Sequence, residues 1–214
     1  MFKIVFIFSY VFILFLITFL YKKIQPTNKE IIRKIIHIGI GPLIPIALYI
    51  NVTQIAAQYL AGFISILVLL NYIYKIFPLI EDIDRRSFGT LFYCLSLFIL
   101  ISFLWDKDPK SLIIGSLIMS FGDGFAGLLG KNLRSKSWYI FNQKKSLIGT
   151  CTMFLVSLLV ITGVGILNGY NFNIYFIGIS LIATALEQIS CLGLDNFTVP
   201  IISSITFNFL ITKI

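Results

Sequence analysis

Charge is what this chain has least of. Only 12% of its 214 residues are Asp, Glu, Lys or Arg, about half of what a soluble domain carries (about 25%). With 58% hydrophobic residues and a mean hydropathy of +0.96, it is not a soluble globular domain, and no polar stretch is long enough to fold as one. Histidine is nearly absent: His37 stands alone. The three cysteines, Cys94, Cys151 and Cys191, are odd in number, have no metal-ligand spacing and lie in or beside apolar segments. They read as small buried hydrophobes, not as a zinc site or a disulfide framework. Internal repeats, linkers, low-complexity tracts and inverted-repeat halves are also missing, which removes a common transporter signature.

What is present is a series of apolar runs. They fall near Phe2–Tyr21, Ile35–Ile50, Gln54–Tyr74, Phe88–Trp105, Ser111–Gly130, Leu147–Leu167, Phe172–Leu192 and Phe197–Thr212. Most are close to the roughly 20 residues that span a bilayer; the second and last are shorter. The expected fold is all-α, a polytopic membrane helical bundle of about 7–8 transmembrane helices, forming one integral membrane domain over residues 1–214. The first run is long for a signal peptide and no small-residue cleavage site follows it, so it reads as a retained helix.

The net charge of +8 does not point to nucleic acid, because the basic residues sit in short loops between apolar runs. Lys22, Lys23, Lys29, Arg33 and Lys34 follow the first run. Lys75, Arg85 and Arg86 follow the third, and Lys131, Arg134, Lys136, Lys144 and Lys145 the fifth. The opposite loops hold only Lys107 and Lys110. The positive-inside rule puts the basic loops in the cytoplasm and both termini outside.

One acid sits within an apolar run. In SFGDGFAGLLGK, Asp123 lies among small residues. A carboxylate within a membrane segment costs roughly 2.5–3.5 kcal/mol on insertion scales and marks a functional site by default. Ser116, Ser120, Asp123, Gly127 and Gly130 fall on one helical face. Gly122, Gly127 and Gly130 permit close approach of a ligand or backbone. Small residues also pack helices together, which accounts for the glycines and serines but not for Asp123.

Downstream, Lys144, Lys145, Ser146, Gly149 and Thr150 open a helix with two ammonium groups, hydroxyls and free N–H groups, an arrangement suited to phosphate. Lysines there also serve as topology signals. It is not a P-loop, whose glycine spacing is absent. Glu187 lies near the same end of the seventh run, followed by Asp195 and Asn196, either of which could instead cap the last helix. Asp123, Glu187 and Asp195 thus reach one depth, and hard oxygen ligands with substrate phosphates are what Mg²⁺ prefers. Arg33 and His37 are four apart on one face at the edge of the second run, with Lys34 beside them. A self-paired, solvated loop is the better default for Glu81 to Thr90, although Arg85 and Arg86 could still fork around a phosphate.

In order, Arg33-Lys34-x-x-His37, Gly122-Asp123-x-x-Ala126, Lys145-Ser146-x-x-Gly149-Thr150, Glu187 and Asp195-Asn196-x-x-x-Pro200 resemble the CTP-dependent polyprenol kinases, which include dolichol kinase and the phytol kinases of plants and cyanobacteria. The resemblance spans about residues 33–200. The short chain and the segment DRRSFGTLFY look more like the phytol kinase branch. It implies phosphoryl transfer from CTP, with Mg²⁺, to the hydroxyl of a bilayer-embedded isoprenoid alcohol, phytol first and dolichol or another polyprenol next. It further implies an active site on the cytoplasmic face of a plasma or thylakoid-type membrane. On that reading Asp123, Glu187 and Asp195 are the catalytic and metal-binding carboxylates. Arg33, Lys34, His37, Arg85, Arg86, Lys144, Lys145, Ser146, Gly149 and Thr150 contact nucleotide or phosphate, and Asn196 joins the close-approach positions.

The nearest alternative is a phosphatidate cytidylyltransferase, which also uses CTP, but its C-terminal histidine signature is missing because no histidine follows His37. A diacylglycerol kinase is a further alternative. A transporter should carry charge at the bilayer midplane, and a scaffold should turn over no nucleotide.

Overall fold

The computed structural model describes residues 2–74, 88–141 and 143–211. In chain order these form α1 (Phe2–Ile24), α2 (Lys29–Ile40), α3 (Leu43–Tyr49), α4 (Gln54–Tyr74), α5 (Gly89–Leu104) and α6 (Pro109–Leu117). A π-helical turn (Ile118–Asp123) leads into α7 (Gly124–Asn132). Then come the strands β1 (Ser137–Ile140) and β2 (Gln143–Ser146), and the helices α8 (Leu147–Leu167), α9 (Ile174–Ile189) and α10 (Asp195–Ile211). The chain is an all-α polytopic membrane protein. Among the described residues, five helical segments are long and apolar enough to cross a membrane, Val5–Ile24, Glu30–Tyr49, Gln54–Tyr74, Pro109–Asn132 and Leu147–Leu167, with Gly89–Leu104 and Ile174–Ile189 shorter but apolar.

The segment Pro109–Asn132 is the axis of the bundle: 56% of its apolar window is buried, against 11–28% for the other four. Its sequence explains this. Small residues let neighbours approach closely, and Gly115 abuts Ser204 and the Pro200 carbonyl of α10. Around it, Ile114, Ile118, Met119, Met153, Ile161, Phe176, Ile179 and Phe207 form the main core. Asp108 caps the segment's start, accepting from the Ser111 N–H and hydroxyl and from Asn208 Nδ2, with Pro109 in the first turn. The large apolar side chains left outside, such as Phe8, Phe12, Leu155, Leu159 and Leu181, face where lipid would be.

Two details depart from the pattern read in the sequence. The second apolar run is broken at Gly41-Pro42 into α2 and α3, because proline brings no N–H and Gly41 packs against Ser120. The basic loop after Asn132 contains an antiparallel hairpin, in which Trp138 pairs with Lys145, Tyr139 with Lys144 and Ile140 with Gln143. Strands of four residues are too short to carry a readable period-2 signal.

Candidate active site

At the end of the bundle that carries the basic loops, α2, α5, α7, the hairpin and the α9–α10 link surround a cavity of about 400 Å³. Each wall brings a different chemistry.

From α2 come Arg33, Lys34 and His37. Lys34 is buried, with 6% of its side chain exposed. Its Nζ donates to Asp123 Oδ2 at 2.6 Å and to the Asp123 carbonyl at 3.0 Å. His37 Nε2 lies 3.4 Å from the same carboxylate oxygen and 3.2 Å from the Met119 carbonyl. Its ring sits 4.8 Å from that of Tyr93 on α5. Arg33 is held by Glu30 at 2.8 Å. The π-helical turn ends at Asp123, and such turns insert a residue and re-aim side chains, often at functional sites. Here the face expected from simple helical spacing divides. Ser120 and Gly127 look toward α2, where Gly127 lies against the Lys34 side chain, whereas Gly130 packs on Ser146 and Gly149 at the start of α8.

A second ion pair faces the first. Lys145, on β2, donates to Glu187 Oε1 and, at 2.6 Å, to the Glu187 carbonyl. The other carboxylate oxygen accepts from Gln188 Nε2 at 2.8 Å, and Gln188 also donates to Thr150 Oγ1. Both charges are buried, an arrangement that is tolerated only when paired and hydrogen-bonded.

Asp195 stands near both pairs, ahead of the apolar run of α10. Among the described residues no lysine or arginine is within ion-pair distance of it. Burial, and next the Asp123 charge, push its carboxyl up to about 6, with Glu187 adding and Lys145 and Lys34 opposing. Beside it, the buried Asn196 Oδ1 has no hydrogen-bond partner among the described residues.

Of the residues singled out in the sequence, Arg33, Lys34, His37, Asp123, Gly127, Lys145, Glu187, Asp195 and Asn196 line this one cavity. Others lie elsewhere. Lys144 is exposed on the opposite side of the hairpin from Lys145. Ser146 caps α8, accepting from the Gly149 N–H at 3.2 Å and donating to the Gly130 carbonyl at 3.1 Å. Gly149 fits between Ala126, Gly130 and Ser146, and Gly122 packs on Met153. Thr150 donates to the Ser146 carbonyl. Arg85 and Arg86 lie outside the described residues. No three His, Cys, Asp or Glu side chains among the described residues form a ready metal cage.

The chain is 35% identical over 191 residues to the protein named phytol kinase in Synechocystis sp., covering 87% of this chain and 82% of that one. The chain belongs to the phytol kinase family. It is also 26% identical over 199 residues to phytol kinase 1, chloroplastic, of Arabidopsis thaliana, and 25% identical over 200 residues to a probable chloroplastic phytol kinase of Triticum aestivum. Each of these two alignments covers 81% of this chain, and 64% and 65% of the respective plant proteins, so the chain spans under two thirds of their length. No family model matches it, and no solved structure gives a significant match.

Within this phytol kinase fold, several cavity residues were not evident in the sequence. Ile36, Ile40, Tyr93 and Cys94 make an apolar wall between α2 and α5, and Phe141 and Gln143 line the hairpin side. The apolar ones are indistinguishable from packing residues in a chain this hydrophobic. Gln143 looks like a loop residue until the hairpin is known.

Proposed function

We propose that this protein transfers the γ-phosphate of CTP, with Mg²⁺, to the hydroxyl of a long-chain isoprenoid alcohol, phytol first, at the cytoplasmic face of its membrane. One observation carries the reading. Two buried lysine–carboxylate pairs and a third carboxylate converge on a cavity that has an apolar wall on one side and a basic hairpin on the other. An alcohol with a long hydrocarbon tail needs the first side, and a nucleotide the second.

The reaction joins the alcohol oxygen to the γ-phosphorus and breaks that phosphorus's bond to the β,γ-bridging oxygen, so CDP leaves and one proton is released. Catalysis of this kind is mostly positioning and charge stabilisation. Lys34 and Lys145 neutralise the phosphate oxygens. Asp123, adjoining His37 and the apolar wall, is placed to take the proton of the alcohol. Mg²⁺ usually takes one or two carboxylates together with phosphates and water. Asp195, which no base among the described residues pairs with, and the Asn196 oxygen, unpartnered among those residues, fit that demand, with Glu187 next to them. When bound, the ion would screen the triphosphate and polarise the transferred phosphoryl group.

The cytoplasmic orientation is supported by the cavity lying at the end of Lys34, Lys131, Lys136 and Lys145, opposite Lys107 and Lys110. The relatives' names support the phytol acceptor. Incubating the purified protein with Mg²⁺, phytol and each nucleoside triphosphate in turn tests the reading: phytyl monophosphate should form fastest with CTP. Faster formation with ATP would overturn the CTP assignment, and no product with any donor would overturn the kinase.

A further inference from the structure

The hairpin offers more than Lys145. Phe141, Gln143 and Lys145 all line the cavity. Gln143 and Lys145 are alternate residues of β2 and face one way, and Phe141 sits in the turn just before them. Lys145 is buried deepest, Gln143 is half-buried and Phe141 is 69% exposed at the rim. At about 3.4 Å per residue, Gln143 and Lys145 stand about 7 Å apart along β2, with Phe141 beyond them in the turn.

Phe141 is an unexpected residue for its position. Only two positions separate β1 from β2. Two-residue hairpin links require positive φ and favour Asn, Asp or Gly. Phe141 has φ 46, an uncommon conformation for a bulky side chain. Its ring stacks on no other ring among the described residues, and it stays largely exposed. Packing therefore does not explain it.

We propose that Phe141 and Gln143 form the nucleobase-binding edge of the site. The proposal rests on the donor being a nucleoside triphosphate, as above. The Phe141 ring covers one face of the base. The Gln143 amide, with two donors and an acceptor, meets the polar edge of a pyrimidine. Lys145, at the inner end of the same strand, takes the phosphates. Exposed Lys131, Arg134, Lys136 and Lys144 lie on and just ahead of the hairpin, and their field draws an anionic ligand toward this end of the molecule. Tyr139, 72% exposed on the opposite side of the hairpin, is the better residue to meet lipid.

The test is calorimetric binding of Mg²⁺–CTP to detergent-purified wild type, Phe141→Asn, Phe141→Trp and Gln143→Ala, with KM for CTP and phytol measured alongside. Asn suits positive φ, so F141N should melt no lower than wild type. Losing a stacked base should raise its Kd and KM for CTP about tenfold, leaving KM for phytol unchanged, while F141W binds as wild type does. Q143A should narrow the preference for CTP over ATP. An unchanged CTP affinity in F141N, or a rise in KM for phytol instead, overturns the proposal and gives the ring to the acceptor or the bilayer. If wild type binds CTP but phosphorylates no prenol, the kinase reading fails, and the wild-type to F141N affinity ratio still decides this one. If wild type binds no nucleotide, both fall.

Discussion

Lys34 and Asp123, 89 residues apart in sequence, meet in a buried ion pair of 2.6 Å that ties α2 to the π-helical turn of the central helix. The pair does structural and chemical work at once. It secures Asp123 within an apolar bundle, and on the proposed function it sets a cationic head where a phosphate would be received. Replacing Asp123 with Asn should abolish phosphoryl transfer while the protein stays folded in the membrane, since an amide still accepts from Lys34. Turnover by a membrane-extracted D123N protein would remove Asp123 from the site.

Replacing Lys34 with Met has a different consequence. It leaves the Asp123 charge buried without its partner, which typically costs about 3–5 kcal/mol. Thermal unfolding in detergent should show a large loss for K34M and a partial recovery in K34M/D123L. Activity should be absent from both. A K34M protein as stable as wild type would mean that water, not Lys34, solvates the carboxylate.

Lys144 and Lys145 are neighbours with opposite surroundings, and they should separate in assay. Lys145→Ala strips the Glu187 pair and should reduce kcat/KM by at least 100-fold. Lys144→Ala, on the exposed side of the hairpin, should change it no more than about threefold, in keeping with the small worth of an exposed charge. Equal losses would show that the hairpin turns over when substrate binds.

Gly127 offers a test that removes no ionisable group. A Cβ there would lie 2.6 Å from Lys34 Cε and 3.0 Å from its Nζ. Gly127→Ala should therefore push the ammonium off Asp123 and cut turnover more than tenfold, with a much smaller fall in melting temperature than K34M. Unaltered kinetics would show that Lys34 relaxes freely.

Ser146 should behave as a helix cap. Ser146→Ala loses the bond from the Gly149 N–H and should cost about 1 kcal/mol of stability. Ser146→Asp, which can still cap, should restore it. A change in KM for CTP without a change in stability would instead give the hydroxyl to phosphate.

Much of this site was legible in the sequence, for a physical reason. Carboxylates in or beside apolar helices are expensive, so Asp123 and Glu187 stood out, with Asp195 after them, whereas Lys34 and Lys145 were legible only as members of basic clusters; all five line the cavity. Their pairing was not legible. Nothing in sequence spacing joins Lys34 to Asp123 or Lys145 to Glu187, because both contacts depend on how distant helices pack. The π-helical turn was also invisible, since it changes phase without changing composition, and it divides the face read for Asp123 and Gly130. The lysine doublet shows the same limit: only the hairpin register distinguishes Lys145, turned inward, from Lys144. The helical fold was the easier reading, because long apolar runs leave the backbone no other way to satisfy its polar groups in lipid. The break at Gly41-Pro42 carried a visible proline signal but fell inside a run that hydropathy alone reads as continuous.

On the proposed function this cavity passes the terminal phosphate of CTP to a prenyl hydroxyl. The most direct measurement is transfer of label to phytol by the purified protein with Mg²⁺, using CTP labelled at the γ-phosphate in one reaction and at the α-phosphate in another. Label should enter phytyl monophosphate from the γ-position only and be lost in D123N. Label entering lipid from the α-position would make the protein a cytidylyltransferase, and no transfer from either by folded protein would contradict the account altogether.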